Sequence, residues 1–68
     1  MWRLETAVAN SRRVLELEPD NFLAQCRLGM SLQNLDRLAD AESSYRRALA
    51  LKPDYPEAKT NLALLLKA

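Results

Sequence analysis

Few side chains in this sequence could take part in covalent or acid–base chemistry. The chain has a single cysteine, Cys26, and no histidine, the commonest general base and metal ligand in proteins. The Cys26 thiol could act as a nucleophile if the neighbouring Arg27 lowered its pKa. One cysteine can neither form an internal disulfide nor build a structural zinc site. We interpret Cys26 as a small side chain on a half-buried helix face.

Two pairs of carboxylates have the close spacing of an acid–base dyad, Asp36 with Asp40 and Glu16 with Glu18. Both pairs fall near the ends of predicted helices, where a solvated surface is the simpler interpretation. The only glycine, Gly29, cannot make a glycine-rich phosphate loop. We therefore predict no catalytic residue, no metal site and no cofactor, and we expect that the chain is not an enzyme.

The elements that would position any functional side chain are clearest between Phe22 and Pro53, where the pattern predicts two amphipathic helices. Five residues between the helices, 33–37, are enough only for a turn between antiparallel neighbours. Pro53 ends the second helix, because proline lacks the amide donor that a helix interior needs. Apolar or small residues recur at helical spacing in both helices: Ala24, Leu28, Gly29 and Leu32, then Leu38, Ala41, Tyr45, Ala48, Leu49 and Leu51.

The sequence also repeats itself after 34 residues, and a fixed period of this size is typical of a stacked helical solenoid. Twelve of the 34 pairs formed by this shift are identical, several times the number that the composition gives by chance. The first members of these pairs are Arg3, Leu4, Ala7, Arg12, Arg13, Leu15, Leu17, Pro19, Asp20, Ala24, Leu28 and Leu32.

The period and the spacing together resemble the tetratricopeptide repeat family, whose pattern is W-x2-L-G-x2-Y, then A-x3-F, then P. The residues at these positions are Gln25, Leu28, Gly29 and Leu32, then Ala41 and Tyr45, then Pro53, with truncated copies on either side. The departures are Gln25 and Lys59 in the large aromatic position, Ser11 in the second aromatic position and Asp36 where the turn often carries glycine. The resemblance implies an all-α fold of antiparallel helix hairpins in an α–α superhelix. It implies about two repeats, with the helices in the order second, first, second, first.

On this basis we predict one domain with second-type helices at 3–18 and 37–51 and first-type helices at 22–34 and 56–67. The order leaves the first and last helices without their repeat partners, as in a fragment of a larger protein. Asp20 or Asn21 is expected to cap the second helix, Asp36 the third and Asp54 the fourth. Gly29 is expected to leave room for a large side chain, Tyr45, on the neighbouring helix.

The resemblance implies a non-catalytic protein–protein interaction module that binds a peptide or helix on its concave face. Asn61 resembles the asparagines that hold peptide backbone in other members of the family, although its counterpart one period earlier is Arg27. Helical spacing places the following residues on or near that face: Leu23, Cys26, Arg27, Met30, Gln33, Asn34, Thr60, Asn61, Leu64 and Lys67.

The terminal helices carry apolar side chains that a stacked neighbour would normally cover. We therefore predict self-association, as a dimer or head to tail, through Trp2, Leu4, Val8, Leu62, Leu64, Leu65 and Leu66. A partner protein could cover the same surface. The alternative function is a purely structural assembly element whose only partner is another copy of itself.

Composition makes other partners less favoured. The net charge is only +1, and no apolar run approaches the roughly 20 residues of a membrane span, so we expect no membrane association and a cytoplasmic location. Two arginine pairs, Arg12-Arg13 and Arg46-Arg47, lie one period apart and could form a stripe that contacts phosphates. Compensation of the helix dipole is the simpler interpretation, so a nucleic-acid partner is a minor alternative.

Overall fold

A computed structural model describes the backbone of residues 4–67 and the side chains of residues 5–67, and all regular structure in that range is helical. Four helices follow one another: α1 (Leu4–Leu17), α2 (Phe22–Asn34), α3 (Leu38–Leu51) and α4 (Pro56–Lys67). Connections of three or four residues make consecutive helices antiparallel neighbours. The predicted all-α fold of helix hairpins is confirmed.

The helices pack in chain order, with α2 and α3 forming the central hairpin. α1 packs on α2, α4 packs on α3, and α4 also touches α2. Over residues 4–67, α1 has no close backbone contact with α3 or α4. This staggered arrangement, in which each helix rests on its predecessor, is the stacking that helical repeats use to bury one continuous core.

The core lies between α2, α3 and α4. Tyr45, Leu32 and Cys26 are its largest fully buried side chains, and none of the α1 side chains at 5–17 is fully buried. Several core positions are alanine, which lets the helix axes approach closely. The buried cluster consists of Cys26, Leu28, Leu32, Ala41, Tyr45, Ala48, Tyr55, Ala58 and Leu65.

α2 and α3 approach closely at Gly29. A Cβ atom built on Gly29 would lie 2.7 Å from Cε1 and 2.8 Å from Cδ1 of Tyr45. The Tyr45 ring is fully buried, and its hydroxyl donates a 2.8 Å hydrogen bond to Oε1 of Gln33. The prediction that Gly29 makes room for Tyr45 is confirmed.

The turn between α2 and α3 corrects the predicted role of Asp36. Asp36 has a φ of 64°, in the left-handed region, and it follows the last residues of α2. The Asp36 amide donates to Gln33 O and the Arg37 amide to Leu32 O, the pair of bonds of a Schellman motif. Asp36 therefore ends α2 and does not cap α3, whose N-cap position is Arg37, without a side-chain cap.

Of the other two predicted caps, the one for α2 is confirmed and the one for α4 is wrong. Asn21 caps α2, because its Oδ1 accepts a 3.0 Å hydrogen bond from the Ala24 amide. The first backbone bond of α4 runs from the Lys59 amide to Tyr55 O, so Tyr55 holds the N-cap position that was predicted for Asp54. The Asp54 carboxylate is almost fully exposed and lies 4.0 Å from Lys59 Nζ.

An aromatic corner joins the start of α2 to the segment before α4. Phe22 and Tyr55 meet edge to face, with ring centroids 5.1 Å apart and planes at 77°. Lys52 Nζ lies 4.8 Å from the Phe22 centroid and 5.9 Å from that of Tyr55. Aromatic pairs of this geometry add about 0.5–1.5 kcal/mol beyond their buried area, and the ammonium adds a cation–π attraction. The corner fixes α4 against α2.

Candidate functional site

A stripe of four side chains runs along the outer side of α2: Leu23, Arg27, Met30 and Asn34. Their spacing of four, three and four residues places them on one side of a helix, and all four are exposed. Leu23 and Met30 are 41% and 39% exposed, which is high for apolar side chains on a helix that packs between two others. We call these four residues the α2 stripe.

The α2 stripe borders two shallow depressions, of about 220 and 420 Å³, between α1 and α2. The two depressions share Asn10, Ser11 and Arg27, so they form one continuous groove. Its walls combine apolar atoms with amide, hydroxyl and guanidinium groups. Such a surface can accept an extended or helical segment and hydrogen-bond to its polar atoms.

The α1 side of the groove was missed by the sequence prediction. It is lined by Ala7, Asn10, Ser11 and Val14. The signal was present in the 34-residue repeat, because the counterparts of these residues are Ala41, Ser44, Tyr45 and Ala48, all of them buried. The same helix face is thus buried in one repeat and open in the other.

The predicted face residues of α4 do not line this groove. Thr60, Leu64 and Lys67 are exposed on α4, with Leu64 at 59%. Asn61 is half-buried, and its Nδ2 lies 3.9 Å from Cys26 Sγ, at the long end of contacts to sulfur. The structure thus places these residues on a second surface, separated from the groove by α2.

Of the predicted face residues, Cys26 is closed to a ligand and Gln33 is partly engaged. Cys26 is fully buried, and desolvation raises the pKa of its thiol, so Cys26 belongs to the core and is not an activated nucleophile. The amide oxygen of Gln33 is already bonded to the Tyr45 hydroxyl. The prediction for Cys26 is wrong because position 26 lies on the side of α2 that α4 covers, as its contact with Asn61 shows.

The predicted self-association residues differ in how far they are exposed. Leu64 and Leu66 are 59% and 56% exposed. Val8 and Leu62 are half-buried and pack against the core cluster. Leu65 is only 8% exposed and is part of that cluster, so its assignment to an open rim is wrong. Trp2 and the side chain of Leu4 lie outside the described residues.

Acidic side chains lie beside three of the four arginines of the two arginine pairs. Arg46 Nε donates to Glu42 Oε2 at 2.9 Å, in an exposed ion pair with the predicted four-residue spacing. Arg12 and Arg47 line a third depression together with Glu16 and the buried amide of Gln25. The acidic neighbours offset part of the positive charge on this face.

Residues 22–55 match a family model described as tetratricopeptide repeat. The matched segment is half of the chain and coincides with the α2–α3 hairpin and the corner that follows it. The chain belongs to the tetratricopeptide repeat family. It is therefore a helical-repeat module of the kind that mediates protein–protein interactions.

Among curated proteins, this tetratricopeptide chain is similar to peroxisomal targeting signal receptors of several yeasts. It is 45% identical over 53 residues to the receptor of Kluyveromyces lactis, 44% over 50 residues to that of Saccharomyces cerevisiae and 38% over 53 residues to that of Candida albicans. These alignments cover 74–78% of this chain but only 8–9% of the relatives.

No solved structure gives a significant match to this tetratricopeptide chain. None of its helices within residues 4–67 combines the length and apolarity needed to cross a membrane. In the same range there is no cluster of three side chains that could hold a metal ion.

Proposed function

We propose that this tetratricopeptide module binds a short peptide segment of another protein along the α2 stripe and the adjoining groove, without catalysing a reaction. The observation that carries the proposal is the exposure of the stripe beside an open groove. Leu23 and Met30 offer apolar contact, while Arg27 and Asn34 offer hydrogen-bond donors. This combination suits an extended chain whose backbone amides need partners and whose side chains need shallow apolar pockets.

The ligand class that we propose is a peptide bearing a peroxisomal targeting signal. The support is the similarity to proteins named as receptors for such signals. One such signal is a C-terminal Ser-Lys-Leu, which is recognised by a receptor as an address. The Arg27 guanidinium is the group on the stripe best suited to pair with a terminal carboxylate, because its planar fork can donate two parallel bonds.

Fluorescence anisotropy with a labelled peptide ending in Ser-Lys-Leu tests this proposal. We expect saturable binding, weaker for the same peptide with an amidated C-terminus. Arg27→Ala and Asn34→Ala should each weaken binding, whereas the matched control Arg37→Ala, at an exposed turn outside the groove, should not. Absence of binding, or equal binding by all three variants, would remove the proposal.

A second candidate function is self-assembly, as a dimer or head to tail, and the exposure of Leu64 and Leu66 favours it. A cytoplasmic location is part of the proposal, because a receptor for an address must meet its cargo before delivery. A nucleic-acid partner remains only a prediction and is the least favoured, since Glu42 already pairs with Arg46.

A further inference from the structure

The two second-type helices of the chain, α1 and α3, differ in what covers them. On α3, the Tyr45 side chain is fully buried beside Gly29 and Gln33 of α2. On α1 the counterpart of Tyr45, 34 residues earlier, is Ser11, which lines the open groove. Within residues 4–67 no helix occupies the position on α1 that α2 occupies on α3. The packing of α2 on α3 therefore shows how a helix would pack at the corresponding position on α1.

The helix that corresponds to α2 is α4, and the side of α4 that corresponds to the α3-facing side of α2 is open. Leu32 is 1% exposed in the hairpin, whereas its counterpart Leu66 is 56% exposed. The other α3-facing positions of α2 correspond to Lys59, Leu62, Ala63 and Lys67, of which Leu62 alone is half-buried and the rest are exposed. One chain thus carries both halves of a second hairpin interface on different helices.

Side-chain sizes in the two halves have changed together. In the hairpin, any Cβ at position 29 would lie 2.7 Å from the Tyr45 ring, so the pair favours glycine. The corresponding pair between α4 and α1 is Ala63 with Ser11. The larger residue on α4 corresponds to a smaller one on α1, so this pair would lack the crowding that disfavours alanine at position 29.

Charges in the two halves have also changed together. In the hairpin, Gln25 of α2 and Ala50 of α3 border the same depression. Their counterparts are Lys59 on α4 and Glu16 on α1, both exposed. At the corresponding positions, two neutral residues are thus replaced by residues of opposite charge. The opposite charges of Glu16 and Lys59 favour a second copy of this chain as the occupant of the open face of α1.

We propose that α4 of one copy of this chain packs on α1 of a second copy, in the register that α2 adopts on α3 within a chain. The contact is head to tail, so it leaves one open end on each dimer and can continue as a longer stack. It also adds the exposed Leu64 of one copy beside the α2 stripe of the next. The inference deepens the second candidate function, self-assembly, and rests on it. Because Ser11 also lines the peptide groove, the contact would compete with peptide binding.

Charge reversal tests the register. Sedimentation equilibrium of the full chain should show a mass that rises with concentration. Glu16→Lys and Lys59→Glu should each raise the dissociation constant about three- to tenfold, as expected for loss and reversal of an exposed ion pair. Glu16→Lys should have the larger effect, because Arg12, which borders the same depression as Glu16, adds a second cation. The double variant should regain most of the affinity, and Glu5→Lys, the same reversal elsewhere on α1, should have little effect.

A cysteine pair gives a second, independent readout. Mixed Ser11→Cys and Ala63→Cys chains should form a disulfide-linked heterodimer at least tenfold faster than Ser43→Cys mixed with Ala63→Cys. Circular dichroism of each variant establishes that it folds. Equal rates of crosslinking, a monomer at every concentration, or failure of the double charge variant to recover would each overturn the proposal.

These outcomes are distinct from those of the peptide experiment. A monomer that still binds the Ser-Lys-Leu peptide would refute only the head-to-tail contact. Peptide binding is measured at concentrations below the dissociation constant of the self-contact, where the groove is open. A chain that associates in this register at higher concentration but binds no peptide as a monomer would refute only the proposed function. Association that all charge variants retain would indicate a different self-contact, for example through Leu64, and would likewise overturn the register.

Discussion

The contact between Gly29 and Tyr45 makes a strong prediction about Gly29→Ala. In an exposed helix this change stabilises by about 0.8–1.0 kcal/mol, because alanine is the better helix former. Here the new methyl would lie 2.7–2.8 Å from two ring carbons of Tyr45, closer than carbon atoms approach without displacement. The ring cannot withdraw freely, since it is fully buried and tied to Gln33.

Overpacking of this kind costs about 1–3 kcal/mol, so the net change in the free energy of unfolding should be a loss of about 1 kcal/mol. For a domain of this size such a loss lowers the Tm by about 4–8 °C. Urea denaturation and thermal melting followed by circular dichroism measure it. Osmolyte-containing buffer keeps the less stable variants folded for comparison.

A double-mutant cycle identifies the cause of that loss. In a Tyr45→Val background the ring atoms that crowd Gly29 are gone, so Gly29→Ala should change sign and stabilise by up to about 0.8–1.0 kcal/mol. If Gly29→Ala is as stable as the wild type in the native background, the packing argument is wrong at this position. If the sign is the same in both backgrounds, the crowding does not come from Tyr45.

Three further predictions concern turns, caps and buried phenols. Asp36→Gly should stabilise by about 0.5 kcal/mol in urea titrations, because relief of a left-handed φ exceeds the added entropy of the unfolded chain. Asn21→Ala should destabilise by about 1 kcal/mol in the same assay through loss of the α2 cap. Burial raises the pKa of Tyr45 and of Tyr55 to about 12 from 10, chiefly by desolvation, so the folded state favours the protonated phenols. This contribution to stability is complete below pH 10 and is lost as the pH rises to 12, by about 1.4 kcal/mol per pH unit for each tyrosine. Tyr55→Phe should reduce that alkaline loss and raise stability at neutral pH by about 1 kcal/mol, since its hydroxyl, although close to Cys26, has no hydrogen-bond partner among residues 5–67. Urea midpoints at several pH values measure both effects, and an unchanged alkaline slope in Tyr55→Phe would contradict the assignment.

The fold was predictable because its determinants are periodic. The 34-residue repeat and the small residue at position 29 facing a large one at position 45 specify the hairpin without reference to any other protein. Local turn chemistry was less predictable. Asp36 has the side chain of a good N-cap, yet its amide completes the end of α2, a choice that depends on a left-handed φ that residue type does not specify.

The candidate site was only partly predictable, because helical spacing shows which residues share a face but not what covers that face. Cys26 and Arg27 are neighbours in sequence, but only Arg27 is open, since α4 covers one side of α2. Leu65 was assigned to the rim along with Leu64 and Leu66, although it lies on the side of α4 that faces the core. The α1 wall of the groove emerges only when both repeats are compared position by position.

Among residues 4–67, α1 packs only on α2, and none of its side chains at 5–17 is fully buried. The stability of the molecule is therefore graded along its length. Unfolding of α1 breaks its described interface with α2, whereas unfolding of α3 breaks two interfaces, with α2 and with α4. In such a nearest-neighbour array, unwinding begins at the weakest terminal unit. Amide protons of α1 should exchange with deuterium well before those of the central hairpin, and anything seated on α1 would slow their exchange first.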